Sequence, residues 1–178
     1  MRIYEGSPRE DFEEVFRSIG AFLDQRGMKE ILLAEAPDGF IVQGLVTSVS
    51  NSTSDLMGTV VKETLTFLDD DIARFMEEAI ARRGQGEPPP DAGEAGYYET
   101  AFRVLGRYMD EQRPRDVFFF EQGGSFVLRL LMIGAGAAPM GHQLVEFTKD
   151  DIMSMIDAAP AQRNKPAPES GPPGETVA

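Results

Sequence analysis

The sequence predicts an α+β fold built as a tandem duplication of one unit: a helix, a three-stranded antiparallel meander and a closing helix, with six strands in total and the helices on one sheet face. Three observations carry this. Residues 13–45 recur as residues 99–131 at a constant offset of 86, without a gap, and the identical pairs are Glu13/Glu99, Phe16/Phe102, Arg17/Arg103, Gly20/Gly106, Asp24/Asp110, Glu35/Glu121, Phe40/Phe126 and Leu45/Leu131. Within each copy, apolar residues at helical spacing give way to apolar runs on either side of a turn. The turns, Pro37-Asp38-Gly39 and Gly123-Gly124, suit tight reversal of a hairpin. Self-similarity at a fixed period sets the architecture ahead of any propensity argument.

The first helix is announced by Ser7-Pro8-Arg9-Glu10, in which Ser7 can cap, Pro8 takes the first helical position and Glu10 reaches back. Phe12, Val15, Phe16, Ile19 and Leu23 then form one apolar stripe, matched in the copy by Tyr98, Ala101, Phe102, Leu105 and Met109. Gly20 and Gly106 interrupt both helices at the same place. Glycine costs about 1 kcal/mol against alanine in a helix, so close approach to a strand is the expected reason. Arg17 and Arg103 are expected to pair locally with Glu13 and Glu99, four residues before them.

The first hairpin is predicted over residues 29–36 and 39–47, the second over 115–122 and 125–133. Third strands are predicted over 59–67 and 142–148. Asp69-Asp70-Asp71 opens one closing helix, with Ile72, Phe75, Met76, Ala79 and Ile80 as its apolar stripe. Thr148-Lys149-Asp150-Asp151 opens the other as a Thr-x-x-Asp cap. The predicted organisation is therefore a first repeat at 1–83, a Pro/Gly/acidic linker at 84–96, a second repeat at 97–159 and a disordered tail at 160–178. The linker allows one continuous six-stranded sheet or two packed sheets. In outline this element order resembles bacterial secretion-chaperone-like and sensory-regulator-like α+β modules, a likeness of topology that transfers no residue.

Alternation along the strands sorts the hairpin side chains onto two faces, once Glu35 is set opposite Phe40 and Glu121 opposite Phe126. One face carries Ile31, Leu33, Phe40, Val42 and Val46, with Val117, Phe119, Phe126, Leu128, Leu130 and Met132 in the copy, and packs under the helices. The other carries Leu32, Ala34, Ile41, Gln43 and Leu45, with Phe118, Phe120, Val127, Arg129 and Leu131. This second face is apolar too, so the other half, another subunit or a partner must cover it. Arg129 is expected opposite Phe118 and diagonal to Phe120, its guanidinium lying on aromatic rings, and pairing with an acid between the halves is the expectation for its charge.

Composition excludes several chemistries. With no cysteine and one histidine, the chain has no disulfide, thiol nucleophile, thiolate zinc site or multi-histidine metal site. A net charge of −13 makes nucleic acid and anionic membrane poor partners. No apolar run approaches the roughly 20 residues of a membrane span, and the first residues do not read as a signal peptide, so a cytoplasmic protein is expected. The Gly134-Ala135-Gly136 stretch lacks the following helix of a phosphate-binding turn. The Asp clusters sit at helix starts, where the macrodipole favours negative charge.

The expected function is a non-catalytic protein-binding or regulatory, chaperone-like module that uses Phe118, Phe120, Val127, Arg129, Ile41 and Gln43 to hold a protein partner or to form a homodimer. No cofactor, metal or catalytic residue is expected. The alternative is a small-molecule or divalent-metal-dependent enzyme with Glu35, Glu121, Asp70 and Asp150 at the junction of the repeats, assisted by His142 and Arg129.

Overall fold

A computed structural model describes residues 12–48, 59–84, 97–132 and 141–159. The element order is α1 (Phe12–Arg26), β1 (Lys29–Ala36), β2 (Gly39–Ser48), β3 (Thr59–Leu68), α2 (Asp69–Gly84), then α3 (Tyr97–Gln112), β4 (Asp116–Gln122), β5 (Ser125–Met132), β6 (Gly141–Phe147) and α4 (Lys149–Ala158). The expected α+β order is present, with strand ends displaced by about one residue from the sequence boundaries. The Ser7 cap, the glycine-rich stretch after β5 and the tail lie outside the described residues, as does the linker beyond Gly84, which closes α2.

The strands form one antiparallel sheet in the order β3-β2-β1-β4-β5-β6. The two meanders therefore lie side by side, joined through β1 and β4, and are not stacked. The joining ladder is short: Leu32, Leu33 and Ala34 pair with Phe120, Phe119 and Phe118. Leu33 and Phe119 sit opposite each other at its centre and are themselves 86 apart, so a local twofold axis passes between them. The hairpin registers Glu35 to Phe40 and Glu121 to Phe126 are as the turns require.

The four helices among the described residues cover one sheet face. On that face Ile31, Leu33, Phe40, Val42, Val117, Phe119, Phe126, Leu128 and Leu130 are fully or almost fully buried, in one cluster with Phe16, Ile19, Phe102, Leu105 and Met109 of the helices. Phe119, near the axis, receives edge-on rings from both sides: Phe16 at 5.8 Å and Phe102 at 5.0 Å between centroids. Such pairs add about 0.5–1.5 kcal/mol each beyond the area they bury.

α1 and α3 lie antiparallel, and residues that recur at the 86-residue spacing make the joint. Asp24 near the end of α1 accepts from the Tyr98 and Glu99 nitrogens at the start of α3, at 3.0 and 2.8 Å. Asp110 near the end of α3 accepts from the Phe12 and Glu13 nitrogens, at 2.8 and 3.0 Å. Each helix start, with its unpaired N–H groups, is thus capped by the other half. Burial raises the pKa of Asp24 above the usual carboxylate value, against the lowering effect of those two hydrogen bonds.

Two sequence expectations change here. The helix glycines make room for the opposite helix and not for a strand: a Cβ on Gly106 would stand 2.5 Å from the carbonyl carbon of Phe12, and Gly20 meets Tyr98 in the same way. Nor do the buried arginines bond the glutamates four residues before them. Arg17 binds Glu99 at 3.1 Å and Arg103 binds Glu13 at 3.2 Å, across the helix pair, while a weaker contact links Arg17 to Glu14 at 3.8 Å. Arg103 also donates to the Ala159 carbonyl at the end of α4.

α4 opens with the expected reciprocal cap. Thr148 accepts from the Asp151 nitrogen at 3.2 Å and Asp151 accepts from the Thr148 nitrogen at 2.8 Å. The hydrogen bonds from Thr148 hold the Asp151 carboxyl below the usual range. Among the described residues no helix is long and apolar enough to cross a membrane.

Candidate binding face

Because side chains alternate along each strand, burying one set beneath the helices turns the other set outward. The outward set forms the second face of the sheet. Extending the register to the edge strands places Thr66, Thr64, Lys62 and Val60 beside Ile41, Gln43, Leu45 and Thr47 on one side. On the other it places Glu146, Leu144 and His142 beside Val127, Arg129 and Leu131. Leu32 and Ala34 of β1 and Phe118 and Phe120 of β4 occupy the middle.

All six residues singled out from sequence stand on this face, on three of its strands. Phe118 and Phe120 are half-buried against each other, with centroids 6.2 Å apart and rings tilted by 57°. Arg129, opposite Phe118 in the ladder, lies with its guanidinium 5.0 Å from that ring. Val127 and Gln43 are half-buried, and Ile41 is 37% exposed. The expected acid partner for Arg129 is absent among the described residues: the charge is exposed and rests on the aromatic ring alone. A guanidinium held over a ring in this way keeps its N–H groups available to a carboxylate or carbonyl.

Sequence reasoning missed the edges of the face. Leu144 is 72% exposed and Val60 59% exposed. Their signal was in the two-residue alternation of the third strands, which extends the same parity outward. The face is therefore apolar along its middle strands and carries single exposed apolar residues on its polar edge strands, with Lys62, Arg129, Asp116 and Glu146 as its charged members along these rows. No described helix lies over it.

The residues of the enzymatic alternative are scattered. Glu35 and Glu121 lie on the helix-covered side at opposite ends of the β1–β4 ladder, where Glu35 accepts from the Val117 nitrogen at 3.1 Å and Glu121 from the Ile31 nitrogen at 3.3 Å. They extend the ladder by side chain where backbone pairing stops, instead of meeting as a carboxylate pair. Glu121 also accepts from the Tyr98 hydroxyl. Asp70 and Asp150 are exposed in the first turns of α2 and α4, and His142 is exposed on β6. Among the described residues no group of three or more His, Cys, Asp or Glu side chains is placed to hold a metal ion. Comparison of the chain with protein-family models, curated proteins and solved structures finds no match in any of the three.

Proposed function

We propose that the protein is a non-catalytic binding module, regulatory or chaperone-like in character, that holds a protein partner or a second copy of itself on its open sheet face. One observation carries this reading: an entire face of a six-stranded sheet presents Ile41, Leu45, Phe118, Phe120 and Leu144 outward beside an arginine with no described acid partner. Covering apolar surface is worth about 25 cal/mol per Å², so a surface of this extent favours an occupant over water. With the two halves side by side, neither covers the other's outer face. That removes one of the three covers the sequence left open and strengthens the remaining two.

The tandem duplication is part of the same proposal, supported by contacts that repeat reciprocally at the 86-residue spacing. The cytoplasmic assignment belongs to it as well, on the sequence reading. The enzymatic alternative needs carboxylates that converge, and its residues occupy two faces of the sheet and two distant helix starts.

The test is size-exclusion chromatography with light scattering, together with affinity capture, on wild type and Phe118→Asp. The expected result is that the substitution abolishes self-association or capture and leaves the far-ultraviolet circular dichroism unchanged. A monodisperse wild-type monomer that captures nothing, and behaves identically after the substitution, overturns the proposal.

A further inference from the structure

Resting on that reading of the open face, we infer that its occupant is a second copy of this chain, laid face to face about a twofold axis parallel to the strands. The first argument is width. Exposed apolar residues run from Val60 and Leu45 on one side to Leu144 on the far edge. Six strands spaced about 4.8 Å apart are about 24 Å across, whereas a helix with its side chains is about 10 Å wide. A single helix or extended peptide leaves most of the face bare. The occupant that covers it is itself a broad apolar sheet, and this chain presents one of matching dimensions.

The second argument is area. Strands of seven to ten residues, rising about 3.3 Å per residue, give the face about 600 Å², so two copies bury about 1,200 Å², the size at which specific association begins. Two sheets pack this way at about 10 Å separation with strands within about 30° of one another.

The third argument is charge, which also selects the axis. A chain of net charge −13 repels its copies over most of its surface, yet along these rows the open face is balanced, with Lys62 and Arg129 against Asp116 and Glu146. An axis parallel to the strands lays β3 of one copy over β6 of the other, twice, so Lys62 comes over the strand that bears Glu146. Arg129 then lies over β2 of the second copy, where Gln43 offers a carboxamide oxygen. An axis across the strands sets each edge strand over itself, so neither Lys62 nor Glu146 meets the edge strand of opposite charge, which costs specificity and affinity.

The full-length chain supplies the test. Light scattering is expected to give twice the chain mass for wild type and a monomer for Phe118→Asp. Lys62→Glu and Glu146→Lys, exposed substitutions that spare the core, are each expected to raise the dissociation constant by about tenfold, and the double substitution to recover most of the loss. Since the sequence has no cysteine, mixed Lys62→Cys and Glu146→Cys chains can be treated with a short bismaleimide. Cross-linking is expected in the mixture and not in either protein alone. Equal cross-linking within each single variant overturns the parallel axis. A dimer indifferent to Phe118→Asp and to both charge reversals overturns the face-to-face assembly. A wild-type monomer that captures a different protein, lost on Phe118→Asp, overturns the second copy and leaves the binding face standing. A monomer that captures nothing overturns both.

Discussion

Gly20 lies against the main chain of Tyr98 with no room for a side chain between them: a Cβ at this position would stand 2.6 Å from the Tyr98 carbonyl carbon and 2.8 Å from the Glu99 nitrogen. The obstacle is backbone, which cannot rotate away. In an isolated helix Gly→Ala stabilises by about 1 kcal/mol. Here the sign reverses. Gly20→Ala and Gly106→Ala are each expected to destabilise by about 2–4 kcal/mol, because the helices must separate over a close-packed core. Urea denaturation measures this, and an unchanged or raised midpoint contradicts the close approach.

The crossed ion pairs make a second prediction that local pairing does not share. The Arg17 and Glu99 side chains are 9% and 13% exposed, so their interaction is poorly screened. Double-mutant cycles with Arg17→Met and Glu99→Gln, and with Arg103→Met and Glu13→Gln, are expected to give coupling of about 1–2 kcal/mol. The cycle between Arg17→Met and Glu13→Gln is expected to give much less. A stronger coupling within one helix than across the pair reverses the assignment.

Alkaline stability follows from the two tyrosines at the start of α3. Burial, with the charge of Glu121 adding to it, pushes the Tyr97 phenol up to about 12. Burial and donation to Glu121 raise Tyr98 further. In the unfolded chain both titrate near 10. Between pH 10 and about 12 the unfolded chain has released protons that the folded chain keeps, so the stability contribution is whole below pH 10 and is lost as pH rises through that window. The Tyr97 hydroxyl is enclosed without a hydrogen-bond partner among the described residues. Tyr97→Phe is therefore expected to be neutral or stabilising by up to about 1 kcal/mol at pH 7 and to flatten the alkaline decline. Urea midpoints across pH 8–12 test both; superimposable curves for the two proteins count against the account.

Much of the architecture was legible in the sequence because register propagates. Once the turns fixed Glu35 opposite Phe40 and Glu121 opposite Phe126, every hairpin residue fell on a definite face, and Arg129 followed onto the Phe118 ring. What the sequence concealed is the difference between contacts within a half and contacts between halves. Glu13 precedes Arg17 by four residues and Glu99 precedes Arg103 by four, so local and exchanged pairs have the same spacing signature. A twofold arrangement brings both glutamates within reach of both arginines, and packing decides. Asp24 and Asp110 were visible as an identical pair without a role, since a cap supplied across an antiparallel helix pair leaves no local motif. The unpaired state of Arg129 among the described residues was equally hidden, because only the joining of the strands into one continuous sheet leaves its face uncovered by the other half.

Reciprocal closure of the α1 and α3 starts has a consequence for synthesis. Asp110, which accepts from the first nitrogens of α1, is translated nearly a hundred residues after Phe12. Until α3 has left the ribosome, α1 lacks that partner and β1 lacks the neighbour that completes its edge. The earlier segment therefore completes its helix cap and its sheet pairing only with residues translated later.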